Sequence, residues 1–342
     1  MRFEGKLTEQ LTDIMVDVNN LNVVFDKNHI IHDVSFKVKK GEIIGLFGIS
    51  GAGKTTIIRV LTCQIEKKNW NGSVEVTKLS PDSKRNHPFI LKNIGYVPQL
   101  ELLNLYYELS PLANIEVFSS TYGLDTKDAK KIAEELFEIL DIPQDTWGKR
   151  VKHMSGGEKK RLSMAIGLIH KPSILFLDEP TTGVDASKRY SILSYLKKLN
   201  QKLNTTMFII THDLEAALIC DKTAILREGR MLEFDSPHNL IKSLPSNGLV
   251  ARFEINDLNK AKITRISEFP SVKKVLRVGN EVIEILMDSF EENLPRLIQY
   301  MIERGVTINS MSRDLASFRR FFQIRIQEEE EREKLHSNKG EL

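Results

Sequence analysis

The sequence has no apolar run long enough to cross a bilayer as a helix. Its longest apolar stretches, residues 42–49 and 173–177, break at glycine or charge within a strand's length, far short of the roughly 18 residues that a spanning helix requires. It has two cysteines in 342 residues, Cys63 and Cys220. That excludes a disulfide framework and a four-thiolate metal site, and leaves two small buried hydrophobes in a reducing compartment as the expectation. It has almost no charge of one sign to spare: 49 Lys and Arg stand against 46 Asp and Glu, a net +3. So balanced a surface does not advertise a nucleic-acid coat, and no nucleic-acid partner is expected. The first 13 residues mix Arg2, Glu4, Lys6 and Glu9 without an apolar core, so a secretory leader is not expected either. No internal repeat is present.

What is there fits a soluble chain of about two domains. With 41% hydrophobic and 28% charged residues, neither disorder nor a lipid-embedded body is indicated. From residue 14 to about 245, short apolar runs alternate with helical stretches, the pattern of α/β units with parallel strands. The clearest buried strands are residues 43–47, 173–177 and 207–210. An amphipathic helix is expected over 126–140, started by Thr126 or Asp128. Residues 243–248 carry Pro245 and Gly248 and read as a linker. Beyond it the order is strand 249–255, helix 258–267, a hairpin of 272–278 with 281–287, helix 291–304, strand 307–311 and a helix from about Arg313. A β-α-β-β-α-β order of this kind predicts a small ferredoxin-like α+β domain over 249–326. Residues 327–342, rich in glutamate, are expected to be a solvated helical tail fraying to disorder.

The chemistry begins after the strand 43–47 with Gly48-Ile-Ser-Gly-Ala-Gly-Lys-Thr-Thr56, which opens an apolar helix. That is a P-loop in its required setting. The cradle runs through Gly48, Ser50, Gly51, Ala52 and Gly53, where glycine lets successive amides turn inward around a phosphate. Lys54 then reaches the β- and γ-phosphates and Thr55 offers a hydroxyl to Mg²⁺. Thr56 sits in the first turn, where the helix dipole favours the anion. A second strand delivers Asp178 and Glu179, suited to a water-mediated Mg²⁺ contact and to polarising an attacking water. A third ends in Thr211-His-Asp213. There His212 is a candidate for the γ-phosphate or the water held by Glu179, and Thr211 or Asp213 is the rival working residue as a helix cap.

These residues resemble the ATP-binding subunit of an ABC transporter. The P-loop is joined, in the family's order, by Ile94-Gly-Tyr-Val-Pro-Gln99, similar to the Q-loop, and by Met154-Ser-Gly-Gly-Glu158, similar to the signature. Ile174 to Glu179 resembles Walker B, Thr182-Gly-Val-Asp185 the D-loop, and Thr211-His212 the switch histidine. The resemblance implies a P-loop ABC ATPase domain with a helical signature subdomain over residues 14–245, with ATP and Mg²⁺ as cofactors. It places Phe25 against adenine and Gln99 on Mg²⁺ and water. The residues in catalysis would be Glu179, His212 and Gln99, and those on the metal Thr55, Gln99 and Asp178. Ser155 opens a second helix N-terminus fit for an anion, and the resemblance implies a head-to-tail homodimer in which Ser155 and Gly157 reach the γ-phosphate of the second copy's ATP, with Gly156 and Asp185 as further nucleotide-binding candidates. Met154 and Glu158 depart from the common Leu and Gln of the signature; Glu158 is expected to face away from the phosphate.

Without a pore of its own, such a subunit implies integral membrane permease partners and a peripheral place on the cytoplasmic face of the cell membrane. The segments around 95–99, 105–110 and 113–115, with the ending near 313–318, resemble drug-resistance exporters. An importer ATPase with a regulatory C-terminal domain is the alternative. A soluble ABC ATPase of translation or DNA repair is a further one, although neither a second P-loop nor a long coiled-coil insertion is present. The C-terminal domain is expected to brace a dimer rather than to sense a ligand.

Overall fold

In the computed structural model, β1 (Ile14–Phe25) and β2 (Asn28–Lys39) pair as an antiparallel hairpin. β3 (Ile43–Phe47) leads through the glycine loop into α1 (Lys54–Leu61), and β4 (Trp70–Val76) returns to flank β1. The structure describes residues 13–184 and 186–337. A separate three-stranded antiparallel sheet is thus formed where the sequence pattern suggests only parallel units. The cause is the two-residue connection between β1 and β2, with Asp26 at φ 54°; a parallel pairing needs a crossover of a dozen residues or more. Alternation in β1 buries Val16, Val18, Leu21 and Val23.

Next come α2 (His87–Lys92), β5 (Ile94–Val97), α3 (Pro111–Thr121), α4 (Thr126–Ile139), α5 (Gly156–Leu168), β6 (Ile174–Asp178), α6 (Ala186–Leu203), β7 (Thr206–Thr211), β8 (Lys222–Arg227) and β9 (Arg230–Asp235). The main sheet has the order β5-β6-β7-β3-β8-β9, parallel but for β9. Its central strands are buried on both faces, as their unbroken apolar runs require. Phe176 and Phe208 stack at 4.9 Å inside it, and each such fully buried aromatic contributes about 1.5–3 kcal/mol of transfer free energy. The cap of α4 is Asp125, just before the expected Thr126 and a turn ahead of Asp128: its carboxylate accepts from the amides of Lys127 and Asp128. Helix α5 is buried nearly all round. It approaches β5 so closely that a Cβ on Gly95 would collide with the Gly167 carbonyl.

The chain divides into two compact units at Asp235 and Ser236, ten residues before the boundary expected near 245. The reason is α7 (Pro237–Lys242), capped by Ser236, which packs within the second unit. That unit holds β10 (Leu249–Ile255), α8 (Lys260–Ser267), β11 (Val272–Arg277), β12 (Val282–Met287), α9 (Phe290–Glu303), β13 (Ile308–Leu315) and α10 (Phe318–Ser337). The antiparallel order β11-β12-β10-β13 is the ferredoxin-like arrangement that the sequence pattern predicts. Phe253, Ile283, Ile285, Leu297 and Met301 form its core. β13 runs four residues past the expected Met311, because its ladder with β10 extends to the pair Leu249 and Leu315. The tail expected to be helical from 327 is a helix to Ser337, and residues 338–342 lie outside those described. Arg320 pairs with Glu284 at 2.7 Å, and the acidic turns find Arg325 with Glu328 and Arg332 with Glu329.

Candidate functional site: a phosphate cleft at the ends of four parallel strands

Register brings the site together. Phe47 pairs with Thr211, Asp178 with Ile210, and Val97 with Leu177, so the carboxyl ends of β3, β5, β6 and β7 lie level. Loops leaving those ends converge, as open α/β sheets require. The result is a cleft of about 740 Å³ lined by Ser50, Gly51, Ala52, Gly53, Lys54, Thr55, Thr56, Gln99, Asp178, Glu179 and His212.

The loop geometry is that of an anion cradle. Gly51 and Gly53 take φ +82° and +97°, a region that L side chains rarely adopt. No side chain caps α1, which leaves its first-turn amides of Lys54, Thr55 and Thr56 uncapped and suited to an anion. The Lys54 ammonium donates to the carbonyls of Gly48 at 2.6 Å and Ile49 at 3.0 Å, which lays it across the loop. Burial holds its pKa below the ordinary lysine value, opposed by the nearby Glu179 and Asp178 charges.

Glu179 follows β6 with φ 47°, and its amide donates to Ile210. Its carboxylate is held by the Thr211 hydroxyl at 2.9 Å, the Thr182 hydroxyl at 3.1 Å and the His212 amide at 3.2 Å, with His212 Nδ1 at 2.8 Å. The two readings of the 211–213 cluster therefore coexist. Asp213 caps the following 3-10 turn through the Glu215 amide, while His212 and Thr211 both address Glu179. Asp178 is half-buried, and desolvation holds its carboxyl above the usual range, against the lowering effect of a hydrogen bond from Tyr96. Thr55, Gln99 and Asp178 together offer a hydroxyl, an amide oxygen and a carboxylate in one cleft. An all-oxygen set with a single carboxylate fits Mg²⁺ bound mainly through phosphates and water.

A family model described as ABC transporter matches residues 31–182. The linearmycin resistance ATP-binding protein LnrL of Bacillus subtilis is 30% identical over 264 residues, covering 76% of this chain and 81% of that protein. The chain belongs to the ABC transporter family. A Nod factor export ATP-binding protein I of Rhizobium sp. N33 is 33% identical over 233 residues, 68% of this chain and 74% of its own length. Relatives named for import also match. Among solved structures, cbiO1 of Clostridium perfringens, part of the ABC transporter complex cbiONQ, aligns with TM-score 0.62 and 25% identity over 67% of this chain and 90% of that one. As a member of this family the chain binds and hydrolyses ATP.

The rest of the ABC motif set is distributed unevenly around the cleft. Ser155, Gly156 and Gly157 do not line it. Ser155 instead caps α5 in a reciprocal box: its hydroxyl accepts from the Glu158 amide, and the Glu158 carboxylate accepts from the Ser155 amide at 2.7 Å. That engagement gives Glu158 a structural partner in its own turn. Phe25, at the end of β1 and 37% exposed, also lies outside the lining, though β2 beside it contributes Ile30. Asp185 lies outside the described residues. Both cysteines are free, and burial pushes the Cys63 thiol up to about 11 and Cys220 further in the same direction.

Three residues escape sequence reasoning. Lys160 is 1% exposed, yet its ammonium donates to the Gln99 carbonyl at 2.8 Å and pairs with Glu101 at 3.0 Å, tying the signature helix α5 to the Q-loop. Tyr96 donates its hydroxyl to Asp178 Oδ2 at 3.0 Å, and Thr182 donates to Glu179. The only sequence signal for Lys160 is a lysine inside an otherwise apolar helix face. Tyr96 lies in the Q-loop motif itself but carries no pattern of its own.

Proposed function

We propose that the chain is the motor of an exporter: two copies close head to tail around two MgATP on the cytoplasmic face of the cell membrane and drive substrate through partner membrane subunits. One observation carries the dimer. The cleft gathers the P-loop, Gln99, Asp178, Glu179 and His212, while the second anion-fit helix start, at Ser155, lies outside its lining. On this reading the Ser155-Gly156-Gly157 turn serves the partner's nucleotide, Asp185 is a further nucleotide contact, and Phe25 stacks on adenine.

Within the cleft, Lys54 and the first-turn amides of α1 hold the β- and γ-phosphates. Mg²⁺, held by Thr55, Gln99 and Asp178, supplies charge neutralisation on the phosphates when bound. Glu179 takes a proton from a water whose oxygen attacks the γ-phosphorus. The bond from that phosphorus to the bridging oxygen breaks, and ADP and phosphate leave. His212 and Thr211 fix the carboxylate that does this. Closure with ATP and reopening after hydrolysis supply two states.

Membrane partners are supported by the apolar surface next to the Q-loop, where Leu100, Leu102, Leu103 and Tyr106 are 55%, 65%, 69% and 53% exposed. Export is supported by the names of the LnrL and Nod relatives. Import with a regulatory C-terminal unit is favoured by one feature, the βαββαβ unit itself, which we read first as a dimer brace. The test is Ser155→Arg. It should leave nucleotide binding to the monomer intact while abolishing ATP-dependent dimers in sedimentation and hydrolysis with them. Loss of binding to the monomer would overturn the trans assignment. An external solute-binding protein copurifying with the membrane subunits would overturn the direction alone.

A further inference from the structure

Tyr96 lines one cavity and, through its hydroxyl, touches a residue that lines another. Its strand β5 is the edge of the main sheet, with Tyr96 paired to Phe176, two residues before Asp178. Its ring, on a residue 41% exposed, helps to wall a separate groove of about 570 Å³ with Gln64, Leu91, Phe118 and Tyr122. Its hydroxyl reaches through to Asp178 Oδ2 at 3.0 Å, and Asp178 lines the nucleotide cleft. Among the described residues Asp178 accepts no other side-chain hydrogen bond, so this single neutral donor decides how the carboxylate is turned about its last torsion, a soft one when unrestrained.

We propose that Tyr96 is a positioning residue for the metal: its hydroxyl pins one oxygen of Asp178 so that the other is presented to the cation that accompanies the nucleotide phosphates. A donor to the back of a ligating carboxylate fixes its direction and lowers the cost of ordering it on binding. The hydroxyl is the right instrument because it adds no charge next to Lys54 and Asp178, whereas a cation there would compete with the metal. The proposal rests on the assignment of Asp178 to Mg²⁺ made above.

The test is Tyr96→Phe in the full chain, which keeps the ring in the groove wall and removes only the donor. A fluorescent ADP derivative is titrated in excess Mg²⁺ and, separately, in EDTA. We expect the affinity in EDTA to be unchanged and the affinity in Mg²⁺ to fall about tenfold, the low end for losing an outer-shell partner of a metal ligand. The Mg²⁺ concentration for half-maximal ATP turnover should rise by the same factor, with kcat at saturating Mg²⁺ retained. Equal losses in both media would mean that Tyr96 only supports the fold, and unchanged values in both would mean that the hydroxyl does not orient Asp178; either result overturns the proposal. A wild-type chain that binds ADP equally in both media removes the Mg²⁺ assignment itself, and the proposal with it.

Discussion

Replacing Glu179 by Gln separates chemistry from packing, because the structure fixes what the amide loses. The Glu179 side chain is 14% exposed, and its two oxygens divide their partners. Oε2 takes the hydroxyls of Thr211 and Thr182, and Oε1 faces the His212 amide and Nδ1. A glutamine keeps its oxygen at the Oε2 position. Its NH₂ then donates to Nδ1 when the imidazole carries its proton on Nε2. Only the His212 amide is left facing a donor, a loss of about 1 kcal/mol, or about 2–4 °C in Tm for a domain of this size. A general base is worth about 10²–10⁴ in rate, so the loss of turnover far exceeds the loss of stability. Phosphate release at saturating ATP should therefore fall at least about 100-fold, while a thermal melt moves by a few degrees and nucleotide-bound dimers accumulate in gel filtration. A variant turning over within about tenfold of wild type would refute the assignment of Glu179 as base, since no other carboxylate in the cleft is held by so many donors.

Lys54→Ala removes the ammonium that lies across the loop. Loss of a charged hydrogen-bond donor of about 1.5–3 kcal/mol should weaken nucleotide binding about 10- to 100-fold in a fluorescence titration, and unchanged affinity would count against the cradle. His170 tests the packing behind the site. Burial holds its pKa below the ordinary 6.5, partly offset by its hydrogen bond to the Ile94 carbonyl, and its ring stacks on Tyr122 at 3.9 Å. As pH falls below 6.5 the unfolded imidazole takes up its proton first, so the unfolded state binds more protons and stability drops until the folded pKa is reached. The Tm of His170→Gln should consequently fall less than that of wild type from about pH 7 to about 5.5; parallel curves would show that His170 does not titrate differently on folding.

The motifs were legible in the sequence because each requires particular residue types at fixed spacing. A glycine at φ +97° and a lysine after it leave a pattern in the chain, and so does an Asp-Glu pair at a strand end. The β-α-β-β-α-β order was legible for a similar reason, since period-2 and period-3.6 apolar patterns alternate cleanly beyond residue 248. What was not legible depends on pairing. The β1–β2 hairpin was concealed because Val-rich alternating strands look alike in parallel and antiparallel sheets, and only the length of the connection tells them apart. The unit boundary lies at Ser236 because a Pro-Gly linker marks a turn, whereas the allegiance of α7 is decided by its packing against α10 and the turn at 245–248.

The same distinction explains why the supporting residues of the candidate site were missed while its motif residues were read from the sequence. Glu179, Lys54 and His212 belong to loops whose spacing the chemistry dictates. Tyr96 and Lys160 act across the sheet and across the sequence, over 82 and 61 residues, so no local pattern can carry them. A carboxylate that orders a cation and a loop that follows the signature helix both need partners from elsewhere in the fold. Lys160 shows the physical constraint most plainly. An ammonium taken out of water is costly unless paired, so its burial at the Gln99 carbonyl and Glu101 binds the loop that lines the cleft to the helix that Ser155 caps. Movement of either element must carry the other with it or expose an unpaired charge.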